Sequence, residues 1–318
     1  MKILQNKKIL FFCYPFRKYN LHIIDELKKM GADVTYFSDS PDYMLFRKSP
    51  SSIKKIIINL YNKHLLNEIR EKRFDFVFVI KGEYLSNIFL EKIRLLNPDS
   101  KFILYLWDSS TNYNYSDKLV CFDQKLSFDR LDCEKYKDLT YLPLFYIDTF
   151  KKKKTYNLIY DLFSIGGGVY YRKPILKNLI ANLNNPDIKC MFYLLSKKDF
   201  ILGFLKKEKY FRYLFLPISH NKFIEKLFES TAIVDIQHEK QAGLTMRTIE
   251  VLASGKKLIT TNNHIKEESF YNENNICVIN RENPIIPANF LKRKMTPVDM
   301  SNYTLHSFLT NIFSFPEE

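Results

Sequence analysis

The feature that most limits what this chain can fold into is an alternation that runs through both of its halves. A short apolar run gives way to a loop, then to an amphipathic stretch, then to another apolar run. Lys8–Cys13 (KILFFC) has the unbroken hydrophobicity of a strand buried on both faces. A helix is expected over about 21–30, closed by Gly31 as its C-terminal cap. Strands are expected at 34–37, 75–80, 102–107 and 119–122, with helices at 54–72 and 86–96, the latter stopping before Pro98. The rhythm restarts with strands at 160–165, 189–195, 232–236 and 257–261 and helices at 173–183 and 245–254. A last helical pattern covers 303–313. Alternation of this kind means βαβ units, a mostly parallel sheet and helices on both of its faces.

The expected fold class is therefore α/β, with two Rossmann-like domains facing a cleft. A length of 318 residues suits two such domains. The run of four lysines, Lys151 to Lys154, reads as a solvated linker and sets the boundaries: 1–150 as one domain, 151–300 as the other, and 301–318 as a terminal helix that crosses back to the first.

Composition narrows the function classes. With 46% hydrophobic and 26% charged residues, the chain can bury a real core. A formal net charge of +14 favours phosphorylated ligands, an anionic membrane surface or nucleic acid. Neither zinc-finger spacing nor an aromatic RNP-like strand pair accompanies it, so a nucleic-acid partner is not expected. Five scattered cysteines without a C-x-x-C pair argue for a reducing compartment and against disulfides or structural zinc. The apolar start lacks a small-residue cleavage site and no long uncharged apolar run follows, so a cytoplasmic protein is expected, at most peripheral to a membrane. The basic, aromatic stretch 200–215 (FILGFLKKEKYFRYLF, with Lys206, Lys207, Lys209 and Arg212) reads either as a packed helix with a solvated basic face or as a segment lying on an anionic bilayer.

In open α/β sheets, ligands bind beyond the carboxyl ends of the strands, and that rule shortens the list of site candidates. The first is His238 to Asn262, directly after the strand at 232–236. Gly243 allows close backbone approach, Thr245 is a natural helix cap, and the free N–H groups of the helix start join Arg247 and Thr248 as an anion site. Glu250, one turn further, suits the two hydroxyls of a ribose. An ordinary capped helix with Arg247 and Glu250 paired on its surface is the competing interpretation. The second candidate is Ser164-Ile-Gly166-Gly167-Gly168 with Arg172: three of the eight glycines of this chain stand together after a strand, where backbone amides can reach phosphate. Neither G-x-G-x-x-G nor G-K-[ST] is present, and a flexible turn is the alternative. In the first half, Lys81-Gly82-Glu83 and Asp108-Ser109-Ser110 also follow strands. Lys81 is placed to contact an acceptor, and Asp108 or Glu83 to act as general base, unless they merely cap local turns. Asp129 and Asp132 read as a surface pair rather than metal ligands, and no metal or other cofactor is expected.

The segments Asp235 to Glu250, Gly255 to Asn262 and Tyr271 to Ile276 resemble bacterial capsule and lipopolysaccharide glycosyltransferases of the CgeB-like kind, as do Ile80-Lys-Gly-Glu83, Tyr105-Leu-Trp-Asp108, Ser127-Phe-Asp129 and Leu142-Pro-Leu-Phe145. The resemblance spans most of the chain, and its distinctive part is 241–262. It implies a GT-B fold and metal-independent transfer from a nucleotide sugar to a glycan or lipid-linked acceptor in surface polysaccharide assembly. Glu250 matches the position at which such enzymes hold the donor ribose. Eight residues earlier, where many retaining members carry a second Glu, stands Ala242, so retention of configuration does not carry over. A sugar-nucleotide epimerase of the same fold and a non-catalytic glycan-binding protein are the rival expectations.

Overall fold

The computed structural model describes residues 3–41, 46, 49–151, 156–183, 185–202 and 208–314. The chain divides into two compact units: residues 1–143 with 305–318, and residues 144–304. The lysine run read as a linker lies mostly outside the described residues.

The first unit is built on β1 (Lys8–Cys13), β2 (Asp33–Phe37), β3 (Phe76–Ile80), β4 (Lys101–Leu106), β5 (Gln124–Ser127) and β6 (Thr140–Tyr141). They pair in parallel in the order β2-β1-β3-β4-β5-β6. Leu10, Phe12, Val77, Val79, Phe102 and Leu104 form one buried face. It is covered by Leu65 and Ile69 of α2 (Ser51–Ile69) and by Phe89, Leu90 and Ile93 of α3 (Asn87–Leu96). On the other face, beside α1 (Tyr19–Lys29), packs the terminal helix Leu305–Phe313. There Phe308 meets Tyr105 edge-on at 4.7 Å, and Phe313 meets Phe76 and Phe78 at 5.2 and 5.5 Å. Aromatic pairs in this edge-to-face geometry add to the burial that holds the helix.

The strand expected at 119–122 is instead the 3₁₀ turn Ser116–Cys121, and the strand follows it as β5. Asp123 sets this register: its carboxylate accepts from the Phe102 N–H at 2.7 Å and its own N–H donates to the Phe102 carbonyl at 2.9 Å. Pairing with β4 then begins one residue later, at Gln124. Asp129 and Asp132 are buried, not a surface pair. Asp129 caps the short helix α4 (Arg130–Lys135), and Asp132 accepts from Tyr115 at 2.6 Å and from the N–H of Ser110 at 2.8 Å.

The second unit contains β7 (Tyr160–Gly166), β8 (Cys190–Leu195), β9 (Phe211–Leu214), β10 (Ser230–Asp235), β11 (Lys257–Thr260) and β12 (Ile276–Val278). Their spatial order, β9-β8-β7-β10-β11-β12, is the 3-2-1-4-5-6 order of a dinucleotide-binding sheet, all parallel. The helix α5 (Val169–Ala181) begins earlier than expected, at the glycine turn itself, and packs Ile175, Leu176 and Leu179 onto Leu162, Phe192 and Val234.

The stretch 200–215 is not one helix. The six-residue α6 (Lys197–Leu202) ends within it, Lys206 and Lys207 lie outside the described residues, and Arg212 belongs to β9. Parallel pairing of Phe211–Leu214 with β8 makes this part an edge strand and not a helical face. The remaining helices are α7 (His220–Phe228), α8 (Met246–Ala253) and the terminal helix, α9. Among the described residues no helix is long and apolar enough to cross a membrane.

Candidate functional site

In the second sheet the strand order reverses between β7 and β10, and the crevice beyond the carboxyl ends of those strands is where such sheets take ligands. Gly166, Gly167 and Gly168 lie at the end of β7. Gly168 has φ +64° and leads into α5, and a Cβ there would meet the Tyr171 ring at 2.2 Å. Only glycine fits that left-handed, crowded position. A Cβ on Gly167 would meet nothing within 4 Å, so space lies open on that side of its backbone.

Arg172, on the first turn of α5, ties the two strand ends together. Its Nε donates to the carbonyl of Ile236 after β10 at 2.8 Å, and its Nη1 to the carbonyl of Gly167 after β7. The Tyr171 ring lies 4.8 Å from its guanidinium carbon and stands edge-on to His238 at 5.5 Å. Gly166–Gly168, Arg172 and His238 are thus brought to one place.

The loop from β10 into α8 is organised by Asp235, which is 2% exposed. Its Oδ2 accepts from Thr245 Oγ1 at 2.6 Å and from Thr248 Oγ1 at 3.2 Å, and its Oδ1 lies 3.5 Å from Arg247 Nη1. Thr245 is the N-cap of α8, accepting from the N–H of Thr248 at 3.3 Å. A β-region cap with a buried carboxylate behind it fixes where the helix starts. Asn262, after β11, holds the loop from the other side through a 2.8 Å bond to the Ala242 carbonyl. Gly243 is buried between these anchors, and Glu250 is 5% exposed on α8.

Charge at this strand end is unbalanced toward the positive. Arg281, beyond β12, donates to the Gln237 carbonyl at 2.7 Å, so Arg172 and Arg281 grip consecutive carbonyls. Burial lowers the proton affinity of both guanidiniums, and Arg247 adds repulsion at Arg172. The Nε of Arg247 is buried without a hydrogen-bond partner. Two carboxylates, Asp235 and Glu239, among three guanidiniums leave an excess that an anion relieves. Asp235 and Arg281 were missed from sequence. Asp235 shows its role only once Thr245 and Thr248 fold back on it, and Arg281 follows a three-residue strand too short to read.

The first unit has its own reversal, between β1 and β3. Directly after β3, Lys81 and Gly82 have φ +66° and +63°. For lysine that left-handed conformation is uncommon, and such strain concentrates at functional sites. The turn lets Lys81 Nζ reach Glu83 Oε2 and Asp108 Oδ2, both at 3.0 Å. The three residues picked from sequence therefore form one cluster. Asp108 also accepts from Asn112 at 3.0 Å. Burial disfavours the Lys81 ammonium, but its bonds to Glu83 and Asp108 outweigh that and raise its proton affinity.

Sequence reading missed two groups beside this cluster. Asp39 is 1% exposed, and its Oδ1 has no hydrogen-bond partner. Burial, opposed by Lys81 and reinforced by Glu83, lifts its carboxyl from the ordinary 3.8 to about 7. Lys118, also buried, donates to the Leu85 carbonyl, and burial pulls its ammonium down to about 8. Among the described residues no group of His, Cys, Asp and Glu is arranged to hold a metal ion.

No family model matches the chain, and no curated protein matches its sequence. Solved structures do. HepE of Anabaena, in complex with UDP and glucose, is 9% identical over 97% of this chain and 96% of that one, with a TM-score of 0.55. The apo structure of OtsA is 11% identical over 97% and 95%, with a TM-score of 0.59. At such identities the likeness shows the fold. The chain has the GT-B fold, two Rossmann-like units each carrying a parallel six-stranded sheet.

Proposed function

We propose that the protein is a metal-independent glycosyltransferase that moves a sugar from a nucleoside diphosphate to a glycan or lipid-linked acceptor in capsule or lipopolysaccharide synthesis. It would work in the cytoplasm, at the inner face of the membrane. The observation that carries this is the second unit's switch point, where the open side of Gly167, the start of α8 and three guanidiniums meet at two adjacent strand ends. A diphosphate matches that set of donors. The complex of the similarly folded HepE with UDP and glucose supports a nucleotide-sugar ligand.

Donor contacts are assigned to Gly166, Gly167, Gly168, Arg172, His238, Gly243 and Arg247, with Glu250 accepting from the ribose hydroxyls. Thr245 and Thr248 direct their hydroxyls to Asp235 and act by placing the start of α8. In the reaction the acceptor oxygen bonds to the anomeric carbon as the bond from that carbon to the diphosphate breaks. The diphosphate leaves with the electron pair, and the arginines stabilise the charge it gains. In an inverting transfer the acceptor proton goes to a carboxylate of the Lys81 cluster. Asp108 and Glu83 share Lys81, which orients them.

Steady-state kinetics on Asp108→Asn and Glu83→Gln tests the assignment. One of the two variants should lose at least about a hundredfold in kcat, with donor affinity kept. Equal turnover in both and in the unaltered protein would remove the base from this cluster.

A further inference from the structure

The strained turn that presents Lys81 and Glu83 is gripped by two buried charges from other parts of the first unit. Lys81 and Gly82 are both left-handed, and strain of this kind persists only where the surroundings enforce it. Some of the enforcement is local. Gly82 donates to the Ile80 carbonyl at 2.9 Å, and Leu85 donates to the Gly82 carbonyl at 3.2 Å. The N–H of Lys81 reaches the Tyr105 carbonyl of β4 at 2.9 Å. These bonds leave the N–H of Glu83 and the carbonyl of Leu85 to be held from elsewhere.

Asp39 and Lys118 hold them. Asp39 follows β2, in a loop anchored by a 2.8 Å bond from the Tyr61 hydroxyl of α2 to the Ser38 carbonyl. Its Oδ1 has no hydrogen-bond partner, and its other oxygen accepts from the N–H of Glu83. Lys118, in the 3₁₀ turn Ser116–Cys121, donates to the Leu85 carbonyl. Its alkyl chain lies 3.9 Å from where a Cβ on Gly82 would stand. The two residues are 1% and 7% exposed. A buried charge costs several kcal/mol, roughly, unless it is fully paired, and Asp39 leaves one oxygen bare. The arrangement is therefore a poor device for stability. Costly buried charges that both end on one turn point to a role in what that turn carries.

We propose that Asp39 and Lys118 are positioning residues for sugar transfer. By gripping the N–H of Glu83 and the carbonyl of Leu85, they fix the turn so that Lys81 and Glu83 meet Asp108. Neither residue touches substrate. Their effect runs through the 3.0 Å bonds from Lys81 to Glu83 and Asp108. A misplacement of about 1 Å in such a group costs about a hundredfold in rate. This rests on the reading of the Lys81 cluster as the source of the base, and it extends that cluster by two residues that make no contact with its carboxylate oxygens.

Two measurements on the full chain test it. Amide hydrogen exchange over residues 80–85, read by mass spectrometry, needs no substrate. Asp39→Leu removes the acceptor for the Glu83 N–H. Lys118→Met removes the donor to Leu85 and keeps an apolar chain beside Gly82. Each should speed exchange in that segment at least about tenfold while β1 and β4 keep their protection. The second readout is turnover of UDP, GDP, CMP and dTDP sugars, followed as nucleotide release with water as the acceptor. Both variants should lower kcat at least about tenfold and leave the donor KM within about threefold. Asp39→Asn still accepts from Glu83 and should regain most of the lost rate. Unchanged exchange in both variants overturns the proposal. So does a donor KM that rises in step with the loss, or a loss equally large in Asp39→Asn and Asp39→Leu. If the unaltered protein turns over none of these sugars, it is the sugar-transfer reading that fails, and exchange still decides whether the two residues hold the turn.

Discussion

Gly167 and Gly168 are neighbours with opposite demands. At Gly168 the left-handed backbone and the Tyr171 ring both exclude a side chain, whereas Gly167 has open space around its missing Cβ. Gly168→Ala should therefore cost about 1–3 kcal/mol in urea unfolding, and Gly167→Ala less than about 0.5 kcal/mol. If the open side of Gly167 receives phosphate, its alanine variant should still lose nucleotide affinity, which calorimetric titration would read. Asp39 makes a different prediction. Unfolded, its carboxyl titrates near 3.8; folded, at about 7. Across that window the native state keeps a proton that the unfolded state releases, so stability falls as pH rises. Asp39→Asn should remove a fall on the order of 4 kcal/mol between about pH 4 and pH 8, seen as a flatter profile of unfolding free energy. A pH profile unchanged by the substitution would contradict the burial cause. Sequence position pointed to Lys81, Glu83 and Asp108 because each follows a strand closely. Asp39 also follows one, yet an aspartate in a loop looks solvated until the fold closes over it.

At the scale of elements, the start of α8 carries the most weight. Thr245 both caps the helix and donates to Asp235. Thr245→Ser keeps both bonds and should leave stability within about 0.5 kcal/mol. Thr245→Ala loses both and leaves part of a buried carboxylate unsatisfied, for about 2 kcal/mol in thermal or urea unfolding. A mild Ala variant would mean that Asp235, not the cap, holds the loop. The central strands β1, β3 and β4 were legible because burial on both faces leaves a nearly unbroken apolar run, and β7 and β10 by their apolar cores, Leu162–Phe163 and Ala232–Val234. The strands β5, β6, β9 and β12 are short, polar or at sheet edges, and their existence depends on the neighbour they pair with. The apolar residues 119–122 became a 3₁₀ turn because Asp123, not hydrophobicity, sets where β5 begins. Helix α7 went unread, although Ser219 caps it.

At the scale of the whole molecule, the alternation of strand and helix pointed to two parallel α/β units, and the structure has two. What the sequence left unreadable was the order of strands. The 3-2-1-4-5-6 arrangement puts β7 beside β10, so the glycine turn and the α8 loop, some seventy residues apart in sequence, become one site through Arg172. The long-range carbonyl contacts of Arg172 and Arg281 that complete it have no local signature. The central claim is that this strand-end site holds a nucleoside diphosphate sugar, with Glu250 on the ribose. Thermal unfolding with UDP, GDP, CMP and dTDP sugars tests it most directly, since a ligand at about a hundredfold over its Kd stabilises by about 2.7 kcal/mol. The account predicts that one of these nucleotides raises the unfolding temperature of the protein by several degrees and that Glu250→Ala abolishes the rise. No rise with any of them, or an undiminished rise in Glu250→Ala, would contradict it.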